Sequence, residues 1–430
     1  MTVEQVRSRE SNPSRRESDN SCETQPSTST TSTLRTSESE VALEAAEGIL
    51  PFSSPLTAHD TWTFTNATDE KHHHREKWLS IANFHPGWFG ATMGTGMIGM
   101  NLASNPYQFN GLQYIADIVF CITVFFFVFF TFISIVRYSL WPNKIRQTFE
   151  HPSQSLTLAM YPLTISMICN LWNARCVPSW GPWAQTFVFV LWWIDVVLSV
   201  AISLYIPFLL MTVHQVELIH MTGAWLLPAV GAAVCAGSGA TTAYNTDDPN
   251  RALVCMITAY IMWGMSVPLA FLMIGVYLQR LIIHNLVPEV SMASSMIPVG
   301  PLGQGAFCII QLGMDCQKFF PKLHIVSPLA GEVLYAGGVI SGLIIWGIGL
   351  LWLWFAIAAF ATKRFAFNLG WWALIFPCGA WNLATCLLAA EFDFKFFKVL
   401  STIFTVALTI VWLLVTALTV MKTITKEVLR

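Results

Sequence analysis

Charge is what this sequence has least of. Only 11% of its 430 residues are Asp, Glu, Lys or Arg, against roughly 25% in an average soluble chain. That scarcity excludes an ordinary soluble domain, and a net charge of −2 without a basic stripe argues against a nucleic-acid partner. No CxxC pair or Cys/His spacing suggests a metal, and most cysteines sit in apolar runs, where a thiol behaves as a small hydrophobe. Charged or His-rich catalytic clusters and paired intrahelical histidines are missing too. Neither enzyme activity nor a cofactor is therefore expected. The N-terminus also lacks the apolar run of a signal peptide.

What is abundant is apolar length. At 54% hydrophobic residues, with 30 Phe and 18 Trp, the chain reads as an all-α integral membrane protein. Residues 1–80 differ: they are rich in Ser, Thr, Glu and Arg without apolar periodicity, the pattern of a disordered tail. The expected organisation is this cytoplasmic tail, a membrane domain over 81–424 and a short cytoplasmic end at 425–430. Arg15-Arg16-Glu17-Ser18 has the form a basophilic kinase uses at Ser18. Asn66-Ala67-Thr68 is a glycosylation sequon that a cytoplasmic tail never exposes to the transferase, and His72, His73 and His74 read as solvated tail.

A bilayer core about 30 Å thick takes around 20 apolar residues per helix. Segments at 87–105, 111–137, 154–173, 184–210, 223–243, 252–280, 293–313, 334–361, 370–390 and 398–421 qualify. An even number places both termini on one side. Arg137, Lys144, Arg146, Arg280, Lys363 and Lys422 fall on the tail side and Arg175, Arg251, Lys318 and Lys322 opposite, so the tails are expected in the cytoplasm.

The segments alternate in kind. Odd ones carry small residues, prolines and neutral polar groups, as in LPAVGAAVCAGSGATTA from Leu227; even ones are bulky and lipid-like, as in FCITVFFFVFFTF from Phe120. Small residues let helix backbones approach, and helix breakers are tolerated where a cavity is lined. Five hairpins with odd helices inside and even helices outside are expected, around either a central pore or an inner ring that packs shut. The ninth segment, WWALIFPCGAWNLATCLL from Trp371, shows the pattern best. Pro377 is expected to kink it, and Phe376 stands where a kink aims its ring.

The inner segments carry almost no formal charge. Candidate path residues are Gly94, Thr95, Gly96, Pro162, Asn170, Pro228, Ser238, Gly300, Gln304, Pro377 and Asn382. Hydroxyls, amides and backbone N–H groups suit a small anion held weakly enough to leave again. Asp195, in an outer segment, is expected either to orient an inner helix through hydrogen bonds or to couple protons. Cys176 and Cys316 fall in loops placed outside, where a disulfide can persist.

NFHPGWFGATMGTG at 83–96, MYPL at 160–163, VLWWID at 190–195, GPLGQGAF at 300–307 and GWWALIFPCG at 370–379 follow one another in order. With them, residues 83–420 resemble the tellurite-resistance/dicarboxylate transporter family, which includes plant slow anion channels, malate permeases and sulfite exporters. GPLGQG and VLWWID are most similar to the sulfite branch. The resemblance implies ten helices in five quasi-repeated hairpins, odd helices lining a central pore, and assembly as a homotrimer. It also implies an aromatic plug, Phe376, and export of sulfite or bisulfite across the plasma membrane. A malate permease is the alternative within the family; a larger dianion would be expected to need a cationic group deep in the path, and none is visible.

Overall fold

The computed structural model describes residues 81–325, 327, 329–363 and 367–425. The Ser18 motif, the Asn66 sequon, the histidine triplet and residues 426–430 lie outside these. Ten long helices dominate: α1 (Phe89–Ala103), α2 (Leu112–Leu140), α3 (Met160–Arg175), α4 (Pro182–Thr212), α5 (Leu227–Tyr244), α6 (Pro249–His284), α7 (Val299–Leu323), α8 (Ala330–Thr362), α9 (Trp372–Phe392) and α10 (Lys395–Ile424). Short helices at Asn143–Glu150 and Pro152–Thr157 join α2 to α3.

Local chemistry sets the boundaries. Gly111, at φ 109°, adopts the left-handed turn that starts α2, a conformation open to glycine at no steric cost. Asp248 caps α6 by accepting from the Asn250 amide at 2.9 Å, and Pro249 follows where its missing N–H costs nothing. Gly181 (φ 73°) with Pro182 starts α4 in the same economical way. The proline at Pro377 does not end α9, which runs on as one helix to Phe392.

Among the described residues, nine helical spans are long and apolar enough to cross a membrane. The first inner helix falls short: the 15 residues of α1 reach only about 22 Å at 1.5 Å per residue. It nevertheless packs as the other odd helices do. The protein is thus an all-helical, multi-pass membrane protein.

The helices close into a ring. α1 packs on α3, α3 on α5, α5 on α7, α7 on α9, and α9 returns to α1. Each even helix lies outside, against the odd helix before it and the odd helix after it. Small residues make the ring possible. A Cβ on Gly303 of α7 would stand 2.4 Å from the Trp381 backbone of α9, and one on Gly96 of α1 would stand 3.0 Å from Met167 of α3. Without a hydrophobic drive between helices in lipid, such close packing and interhelical hydrogen bonds hold the bundle. Thr92 and Thr164 share a bond at 3.0 Å between α1 and α3, and the Asn173 amide donates to Thr242 at 2.9 Å between α3 and α5. The Trp346 indole of α8 donates to Thr385 of α9 at 2.8 Å.

Two expectations are corrected. The seventh span does not stop near 313: α7 continues to Leu323, which brings Asp315 into the inner ring, fully buried, where almost no formal charge was expected. The second is the loop placement of Cys316; the sequence leaves its pairing with Cys176 open, and both are free thiols. Cys176 ends α3, while Cys316 lies inside α7, its sulfur 3.4 Å from the Tyr260 hydroxyl.

Candidate anion path along the ring axis

The side of α9 that meets the ring axis follows from what its other sides touch. Trp372 and Ile375 approach Gly94 of α1, and Gly379 meets Met97. Pro377 lies 3.5 Å from where a Cβ on Gly300 of α7 would stand. The Trp381 indole donates to the Trp346 carbonyl of α8 at 3.0 Å, and the Asn382 amide donates to Thr405 of α10 at 2.9 Å. With successive side chains about 100° apart around a helix, these contacts leave one sector of α9. That sector holds Ala373, Phe376, Ala380, Leu383 and Leu387. Ala373 and Leu387, at its two ends, are half-buried; Phe376, Ala380 and Leu383 between them are closed off, with Phe376 only 2% exposed.

The same periodicity turns Met93 and Met100 of α1, Leu163 and Asn170 of α3, and Val234 and Thr241 of α5 toward the axis. Gly231 of α5 is buried, yet a Cβ there would meet nothing within 4 Å, so it borders open internal space. On α7 the side between the α9 and α5 contacts carries Gln304, Phe307 and Gln311, with Gln304 and Phe307 facing Gly237 of α5. These rows are mostly apolar and buried, with the amides of Asn170, Gln304 and Gln311 set among them. Both amide atoms of Gln304 and the Nδ2 of Asn170 are buried with no hydrogen-bond partner among the described residues. Asn170 accepts through its other amide atom from Thr241 at 2.7 Å. Amide N–H groups held this way can meet an anion without fixing it, since they carry partial rather than full charge.

The other sequence-derived positions are distributed over the seams. Gly94 and Gly96 stand where α1 meets α9 and α3. Thr95 is turned outward, accepting from the Trp412 indole of α10 at 3.1 Å. Ser238 donates to the Ser166 carbonyl of α3 at 3.0 Å. Asn382 donates to Asn101 of α1 at 2.6 Å, and Gly300 and Pro377 share the α7–α9 seam. Pro162 and Pro228 occupy the first turns of α3 and α5, where the Pro228 carbonyl accepts from Ser203 of α4. Asp195, buried on α4, accepts from Ser199 of its own helix at 3.3 Å and from Ser166 of inner helix α3.

Met93, Met100, Val234, Phe307 and Leu383 were not singled out in the sequence. Their signal is an i, i+3/i+4 row on each odd helix, legible only once the neighbouring seams are known. Asp315 was missed for a different reason, the underestimated length of α7. Its Oδ1 faces the Gln311 amide at 3.4 Å, and its Oδ2 has no hydrogen-bond partner among the described residues.

A ring of inner helices rich in small residues, with bulky helices outside, is the arrangement expected of the family that the sequence resembles. A family model described as SLAC1, voltage-dependent anion channel, matches residues 83–420. The chain belongs to this family. A sulfite efflux pump of Arthroderma benhamiae is 46% identical over 361 residues, 84% of this chain and 96% of that protein. A sulfite efflux pump of Candida albicans is 24% identical over 76% of this chain and 71% of its own length. The malic acid transport protein of Schizosaccharomyces pombe is 25% identical over 78% and 77% respectively. The family match covers nine of the ten helices whole and all but the last few residues of α10.

Proposed function

We propose that this protein exports sulfite or bisulfite across the plasma membrane, through an uncharged path on the ring axis that the side chain of Phe376 closes. The observation that carries this reading is the 46% identity, over nearly the whole membrane domain, to a protein named as a sulfite efflux pump. The lumen supports it. A compact oxyanion needs only a few N–H donors and must not be bound so well that it stays. Amides of Asn170 and Gln304 supply donors, and none of the axial positions named above is a cation that would trap a dianion. Asp315 stands near the far end of α7, beyond those amides.

In this reading both termini are cytoplasmic, from the basic-residue asymmetry, and the protein assembles as a homotrimer. Phe376 sits between the α1 and α7 seams of α9, one turn inside the half-buried Ala373. An aromatic ring there can close the path by volume and dewetting alone. Asp195 positions α3 through Ser166. The tail carries the Ser18 motif as a regulatory site.

Purified protein in liposomes tests this, by comparing sulfite, malate, nitrate and chloride flux with and without a pH gradient. Sulfite flux well above malate flux is the expected result. Malate carried as well as or better than sulfite would overturn the reading in favour of a dicarboxylate permease.

A further inference from the structure

Three cavities meet at the short segment that leads into α1. The largest, of about 860 Å³, is an almost wholly apolar slot between α2 and α10, lined among others by Phe84, Trp88, Cys121, Phe126 and Trp412. Its size falls within the roughly 300–1,000 Å³ of sites that enclose a small molecule. The second, of about 740 Å³, is polar, and holds Phe84, His85, Arg137, Lys144 and His151. The third, of about 500 Å³, contains Trp88, His85 and Lys422. Phe84 belongs to both the first and second, Trp88 to the first and third, and His85 to the second and third. An apolar slot within the membrane span thus runs into a basic, polar end at the face where the odd helices begin.

Among the described residues, two cations of that end have no carboxylate partner. Arg137 is only 5% exposed and donates to the Ala82 carbonyl at 3.2 Å and to the Tyr138 hydroxyl. No carboxylate among the described residues forms an ion pair with it or with Lys144; Glu150, which lines the polar cavity, is paired with Arg146 at 2.6 Å. His85 accepts the Gly87 amide through Nδ1 at 2.9 Å. Burial, with Arg137 and His151 nearby, lowers its pKa from 6.5 to about 4, which keeps it a neutral hydrogen-bonding group. A buried guanidinium without a counter-charge is costly unless an anion completes it.

We infer that this composite site binds an anionic phospholipid, with an acyl chain in the α2–α10 slot and the headgroup phosphate at Arg137 and Lys144. Basic pockets beside membrane-spanning helices recognise headgroups in this way. The slot explains why the ligand is a lipid and the uncompensated cations explain why it is an acidic one. Neither feature belongs to the axial path, so the inference stands apart from the transported anion.

The test is lipid binding to the purified full-length protein, read by thermal stability and by native mass spectrometry. The probes are short-chain phosphatidylserine, phosphatidylcholine of equal length, and inorganic phosphate. The expected result is stabilisation by phosphatidylserine alone. Arg137→Gln and Lys144→Gln should each bind it about tenfold more weakly, the change for one lost charge-assisted contact of about 1.4 kcal/mol. Cys121→Trp, which fills the slot from an exposed position, should abolish retention. Equal stabilisation by phosphatidylcholine, or undiminished binding by folded Lys144→Gln, would overturn the inference. Stabilisation by phosphate alone would make it a soluble-anion site. A changed oligomeric state in Cys121→Trp would make the slot a contact between copies, and either result defeats the lipid assignment.

Discussion

The inner and outer helices of this protein are made of the same apolar alphabet, yet they solve opposite problems. Spans built on α3, α5, α7 and α9 are 78–89% buried within the protein, whereas α2, α4, α6, α8 and α10 are 22–39% buried. The outer set can be bulky everywhere because lipid accepts any apolar shape. The inner set must be shaped side by side: glycine and alanine where a neighbour presses, amides and hydroxyls where a bond crosses a seam, larger apolar groups on the side left over. Burial here comes from what each position touches, and hydrophobicity alone does not sort the two sets.

That contrast can be broken most severely at Gly303. Gly303→Val drives a branched side chain into the Trp381 backbone; backbone cannot yield as a flexible side chain does, so the cost should be at or above the roughly 1–3 kcal/mol of ordinary overpacking. Size-exclusion chromatography should show little folded protein. Asp195 tests the link between the sets. Asp195→Leu strands Ser166 of α3 and should cost about 1–3 kcal/mol in thermal stability, while Asp195→Asn should keep the fold and most flux. An Asn variant that folds but loses only pH-driven flux would instead assign Asp195 to proton coupling.

A smaller effect is expected from His85, outside the spans. Its folded pKa of about 4 lies below the ordinary 6.5, so the unfolded state binds the proton more readily. Stability should therefore be intact above pH 6.5 and fall as the pH drops from there toward about 4. His85→Gln should flatten that part of a thermal-stability profile against pH. The smallest effect belongs to the outer face: a Cβ on Gly347 of α8 meets nothing within 4 Å, so Gly347→Ala should leave the melting temperature unchanged or slightly raised.

The alternation of helix types, and with it the fold class, was legible in the sequence because each kind is a composition sustained over a whole span. The inner side of each inner helix was not. Small residues mark both a seam and a lumen, and Gly94, Gly96 and Gly300 turn out to stand against neighbouring helices. The axial row of Met93, Met100, Phe307 and Leu383 looks, in sequence, like ordinary core. Phe376 was found because it adjoins Pro377 and a family motif, although α9 passes through that proline as one helix. Asp315 escaped because hydropathy falls off around it while the helix continues for two more turns, to Leu323.

The central claim is that an uncharged axial path is closed by one aromatic side chain. Phe376→Ala measures it most directly, by sulfite flux in liposomes or by patch clamp, beside a size-exclusion trace of the same preparation. A folded variant with raised anion flux is the predicted result. If Phe376 were core packing, its truncation would cost roughly 3–5 kcal/mol and the trace would show aggregate. A normal trace with unchanged or reduced flux would contradict the account outright.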